Sequence, residues 1–150
     1  MAISNASSLI HEFHDNAYNY STIIDLIKRM ETSKKRTYAM SMHTGFKQCD
    51  FTKLETIHSI KFTGALYHLT FVNNQGIERK ISCDVNSQVY SKNMGFISVN
   101  RLKLNHLIID ESGHINKLKS SVVEEVTDAT LYDVHTAFNR NVFCNGILIR

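Results

Sequence analysis

Eight histidines and three cysteines are the side chains of this 150-residue chain best suited to acid–base, nucleophilic or metal chemistry. Zinc needs its donors in pairs at short spacing. His11 and His14 stand near each other, but no HxxxH and no CxxC supplies a second pair, so no metal site is expected. Cys49, Cys83 and Cys144 are odd in number and far apart, which predicts free thiols in a reducing compartment and no disulfide framework. No serine or cysteine sits in a GxSxG turn, and no glycine-rich loop of the GxxxxGK(S/T) or GxGxxG kind could cradle a phosphate. Lys34-Lys35-Arg36 is a basic run of the sort that loops solvate. General motif rules therefore predict neither cofactor nor nucleotide.

The chain that must position any site is an ordinary globular one. It carries 17 Lys+Arg against 14 Asp+Glu, a net charge of +3, and is 43% hydrophobic. That small positive balance, spread over this length, is no argument for nucleic acid as a partner, and none is expected. No apolar run approaches the length of a membrane span, and the N-terminus lacks the basic and apolar stretches of a signal peptide. A cytoplasmic location is expected.

There is no proline, so turns must come from Gly, Asn and Asp. Thr22–Met30 is the one helical pattern: Ile23, Leu26, Ile27 and Met30 form an apolar stripe, and Thr22 with Asp25 makes a capping pair. A breaker at His14–Asn16 and a loop from Glu31 to Arg36 flank it. Strands are expected over Thr37–Met42, Leu54–Phe62, Ala65–Val72, Ile77–Val85, Ser121–Thr127, Thr130–Thr136 and Asn141–Ile149. Turns are expected at His43–Gly45, Asn73–Gly76, Lys92–Gly95 and Asp110–Gly113. The pattern predicts an all-β domain, with one or two short helices, spanning residues 1–150.

Two segments carry a more specific signal. Ile81 to Leu102 resembles an internal signature of the inteins, in which a Thr-x-x-His box precedes a Gly-aromatic turn. Leu131-Tyr132-Asp133-Val134 through Arg140-Asn141-Val142-Phe143-Cys144-Asn145-Gly146-Ile147-Leu148-Ile149-Arg150 resembles their closing signature. Ala2 to Ile10 has the shape of the opening strand. The ordered trio spans residues 2–150 and looks most like the compact split inteins of phages, without an endonuclease insert.

The resemblance implies a horseshoe-shaped Hint fold and self-excision with ligation of the flanking polypeptides, the exteins, without a cofactor. Ala2 stands where the first nucleophile, Cys or Ser, belongs, leaving Met1 as the last upstream residue. Either the side chain has been removed to trap a precursor, the favoured reading, or a downstream nucleophile attacks directly. Asp84 and Ser87 occupy the Thr-x-x-His positions. Ser87 cannot titrate near neutral pH, but it could donate a hydrogen bond to the scissile amide while Asp84 accepts one. Otherwise activation must come from strain or from another side chain, with His68 and His135 as candidates. Asp133 matches the aspartate that coordinates the two cleavages. Arg140 and Arg150 stand where histidines assist asparagine cyclisation, and a guanidinium cannot shuttle protons. The terminal asparagine does not follow, so this chain as it stands is expected not to splice.

The expectation is a monomeric intein domain, a trans-splicing split intein with its halves joined near residues 110–117 and inactivated at its first residue. Its partners are the exteins and, if split, the complementary fragment. Two alternatives are a hedgehog-type autoprocessing domain and an inactive β-domain that binds a protein. The governing expectation is that the first and last strands lie side by side, with their ends meeting at Asp84, Ser87 and Asp133.

Overall fold

The computed structural model describes residues 2–43, 45 and 47–150. A short strand β1 (Ala2–Ile3) precedes a hairpin of β2 (Leu9–His14) and β3 (Ala17–Thr22). Its loop residues Asp15 and Asn16 both take positive φ, 49° and 62°, the turn geometry that matches strand twist. The expected breaker is thus a tight hairpin turn. No strand was expected over β3, because it is a sheet edge of largely exposed residues with no apolar stripe to mark it.

Helix α1 (Ile23–Thr32) begins as the sequence implies: Thr22 is its N-cap, and its Oγ1 accepts from the Asp25 amide at 3.2 Å. It runs two residues into the stretch expected as loop. Ile23 and Leu26 are fully buried. Arg29, in the last turn, reaches the buried carboxylate of Glu12 at 3.0 Å, so the charge taken inside on β2 is paired. β4 (Thr37–His43) follows; the turn expected next contains Thr44, which lies outside the described residues.

The two strands expected at 54–62 and 65–72 are one strand, β5 (Gln48–Asn73), of 26 residues. After the hairpin to β6 (Glu78–Asp84) come β7 (Gln88–Ser91), β8 (Gly95–Ser98), a single 3-10 turn (Val99–Arg101), and β9 (Ile108–Ile109). The expected strands at 121–127 and 130–136 likewise merge into β10 (Ile115–Thr136), of 22 residues. β11 (Val142–Cys144) and β12 (Ile147–Ile149) close the chain, joined by Asn145 and Gly146 at φ 50° and 80°.

A straight strand of β5's length would span roughly 86 Å, whereas a chain of this size has a radius of gyration near 15 Å, so the pair must bend. It does so at β-bulges. The antiparallel register of β10 on β5 shifts between Leu118 and Ser120, between Val126 and Ala129, and between His135 and Thr136. Gly64 faces Val126 at the middle shift, where a Cβ would lie 3.0 Å from the Phe62 ring. Asp128 takes φ 49° there, and its amide donates to Thr63 Oγ1. Residues that read as strand stops are in fact the bends of continuous strands.

Bending lets the sheet close on itself. β5 pairs with β6, β6 with β1, β1 with β10, and β10 with β5. β1 is therefore the closing piece of a ring, and Ile3 at its centre is fully buried. The first and last strands do not lie side by side. Both edges of β1 are taken by β10 and β6, and β12 pairs instead with β11 and β7. No helix among the described residues is long and apolar enough to cross a membrane.

Candidate functional site

The turn between β6 and β7 holds the chain's two ends together. Its four residues are fixed by the Ser87 amide donating to the Asp84 carbonyl at 3.1 Å, which places the two side chains on one side. Ser87 Oγ donates to Asp84 Oδ1 at 2.7 Å and accepts from the Ala2 amide at 3.4 Å. Ala2, Asp84 and Ser87 are all buried, and Ala2 sits directly opposite Asp133 in the β1–β10 register. One residue further on, Gln88 and Arg150 exchange both backbone hydrogen bonds, at 2.7 and 2.9 Å. The ends meet across residues 87 and 88, although the strands that carry them are not neighbours. Met1, expected as the last upstream residue, lies outside the described residues.

The direction of the Ser87 bond differs from the expectation. The hydroxyl has one proton, and the buried carboxylate of Asp84 takes it, so Ser87 can only accept from the Ala2 N–H. Accepting there favours the amide's resonance. Weakening an amide requires donation to its oxygen or nitrogen.

Asp133, Arg140 and Arg150 line one open cleft of about 460 Å³, together with Glu55 and His135. His135 Nε2 lies 2.9 Å from Asp133 Oδ2, and its ring meets that of His58 edge-on at 6.0 Å between centroids. The other candidate histidine is elsewhere: His68 is engaged with Ser82 at 2.7 Å and Glu124 at 3.6 Å. The Arg150 guanidinium binds Gln88 Oε1 through Nε and Nη2 and lies 4.0 Å over the Phe96 ring. Arg140 takes φ 55° in a loop anchored by Asn141, whose fully buried side chain bonds the Met42 backbone at both its N–H and its carbonyl.

Gln88, Glu55 and Asn141 escape sequence reasoning. Gln88 and Asn141 lie inside the intein-like segments without a role assigned there, and Glu55 lies in neither; each matters through a partner at least 62 residues away or through a shared cavity wall. Asn145 is legible in part, as a turn residue. It also accepts from the Leu9 amide and donates to the Lys80 carbonyl, tying β2 and β6 to the last strand.

All three cysteine thiols are held toward the protonated form. Burial, with the Asp84 carboxylate nearby, pushes the Cys83 thiol up to about 12, and burial alone pushes Cys144 to about 12. Cys49 is exposed, and its thiol is raised by partial desolvation and by the Glu111 carboxylate. Among the described residues, no group of three or more His, Cys, Asp or Glu side chains is placed to hold a metal ion.

No protein-family model and no curated protein matches this sequence. Solved structures do. An intein from a hyperthermophile superposes with a TM-score of 0.81 over 100% of this chain and 99% of that one, at 13% identity. The chain has the intein fold. A DnaB intein from Synechocystis sp. PCC 6803 gives 0.73 at 18% identity, covering 99% of this chain and 96% of that one. A bacterial intein-like domain from Clostridium thermocellum also gives 0.73, at 15% identity, over 99% and 97%. The intein fold is matched over nearly the whole of each chain.

Proposed function

We propose that this chain is a protein-splicing domain whose substrates are the polypeptides joined to its two ends. The observation that carries the reading is the meeting of those ends on Ser87 and Gln88. One peptide bond on each side can then share a site, which replaces diffusional encounter with a fixed geometry.

In this reading the Ala2 nitrogen belongs to the upstream scissile bond. Its methyl side chain offers no nucleophile, and Ser87 and Asp84 hold the amide in its resting form. Position 2 is therefore the inactivated step, and a sulfur or oxygen there is what the acyl shift needs. Asp133, opposite Ala2 and open to the cleft, links the upstream bond to the downstream one. The joint between split halves falls at residues 110–117. The Asp110 side chain accepts from the Ser112 and His114 amides and from Asn116, so each half would bring part of one turn, and the 22-residue β10 would supply the docking edge. Three free cysteines suit a reducing, cytoplasmic setting.

The test places a folded protein before Met1 and an asparagine, a cysteine and a second protein after Arg150, in a chain carrying Ala2→Cys. Mass spectrometry should find the two flanking proteins ligated. Upstream cleavage without ligation would favour a hedgehog-type autoprocessing domain. Neither product from a folded chain would favour a β-domain that only binds.

A further inference from the structure

The splicing reading leaves a chemical gap, since positions 87, 140 and 150 hold Ser, Arg and Arg. None of these can take and return a proton near neutral pH. The cleft that holds both arginines contains an imidazole, and the geometry points to His135 as the proton carrier of the downstream cleavage, with Asp133 as its positioning partner. This inference rests on that reading.

His135 and Asp133 are two residues apart on β10 and so share a face, away from the buried Val134 and Thr136. The Asp133 carboxylate holds Nε2 at 2.9 Å, which fixes the ring and leaves Nδ1 for exchange. Among the described residues, the charged and titratable groups facing the ring are Asp133 on its own strand, Glu55 and His58 on β5, Arg140 in the loop before β11, and Arg150 at the end of β12. Two guanidiniums suit a carbonyl oxygen gaining charge, and one imidazole suits the proton.

The step balances. The side-chain nitrogen of an asparagine following Arg150 attacks its own backbone carbonyl carbon, and the bond to the downstream nitrogen breaks. A five-membered imide forms, and one proton passes from the attacking NH2 group to the departing amine. His135 accepts that proton and delivers it.

The test needs no change at Ala2. The chain is extended after Arg150 by Asn-Ser and a tag protein, and release of the tag is timed across about pH 5 to 8. His135→Gln should release it about 100-fold more slowly and lose the pH dependence. His135→Ala should regain rate when imidazole is added, which separates lost chemistry from lost packing. Variants that cleave at the parental rate with the parental pH profile would overturn the assignment and leave the splicing reading standing. A folded parent that releases no tag would overturn both.

Discussion

At the upstream end, Ala2 is buried and its amide feeds a closed chain of hydrogen bonds through Ser87 to Asp84. At the downstream end, Arg150 rests on Gln88 and Phe96 at the rim of an open cleft with two carboxylates, an imidazole and a second guanidinium. One end is dry, satisfied and without a nucleophile. The other is open and lined by charged groups and an imidazole. The contrast teaches that one fold can hold two ends in register while burying one and leaving the other open.

The largest expected effect tests how dry the packing behind both ends is. Cys83 pairs with Ile3 beneath the upstream end, and Cys144 lies in the hairpin that leads to the downstream one. Each thiol is pushed from 9.0 to about 12, so the folded chain keeps protons that the unfolded chain releases. Stability is expected to be whole below pH 9.0 and to fall as pH climbs toward about 12. Urea unfolding across that range should show the decline, and Cys83→Ala should make it shallower. A flat profile would mean water reaches both sulfurs.

Next in size is Ser87→Ala, which strips the buried Asp84 carboxylate of its hydroxyl donor and the Ala2 amide of its acceptor. A loss of about 3 kcal/mol is expected. Exchange of the Ala2 amide should quicken in this variant while that of Arg150 stays slow; equal changes at both would erase the distinction between the ends.

Gly146→Ala strikes the downstream end instead. Gly146 has φ 80°, and a Cβ there would run into the Arg79 guanidinium, which donates to the Asn145 carbonyl. About 2 kcal/mol should be lost, with exchange quickening first over Ile147–Arg150. The smallest effect belongs to Arg150→Ala: about 1 kcal/mol from an exposed side chain that bonds Gln88 and covers Phe96. A large stability loss there would place Arg150 in the structural frame and remove it from the open cleft.

Much of this was legible in the residues. Thr22 announced the helix start, because a cap acts through its immediate neighbours, whereas the single strand expected over Asn141–Ile149 is a hairpin turned at Asn145 and Gly146. The long strands were not legible. Gly64 and Asp128 look like stops in a linear reading, and only the partner strand makes them bulges. β3 lacked an apolar stripe because one of its edges and most of its side chains face solvent. At the site, the resemblance to inteins implied that Ser87 lies near Ala2 but not the direction of the bond, which Asp84's claim on the only hydroxyl proton decides. The contact between His135 and Asp133 was hidden for a different reason: strand alternation makes it possible, and only the open cleft makes it useful.

Nuclear magnetic resonance of the folded chain tests the meeting of the ends most directly. The account predicts a nuclear Overhauser contact from the Ala2 amide proton to the Ser87 side chain, together with slowly exchanging Gln88 and Arg150 amides. An Ala2 amide that exchanges freely and shows no contact to Ser87 would contradict it.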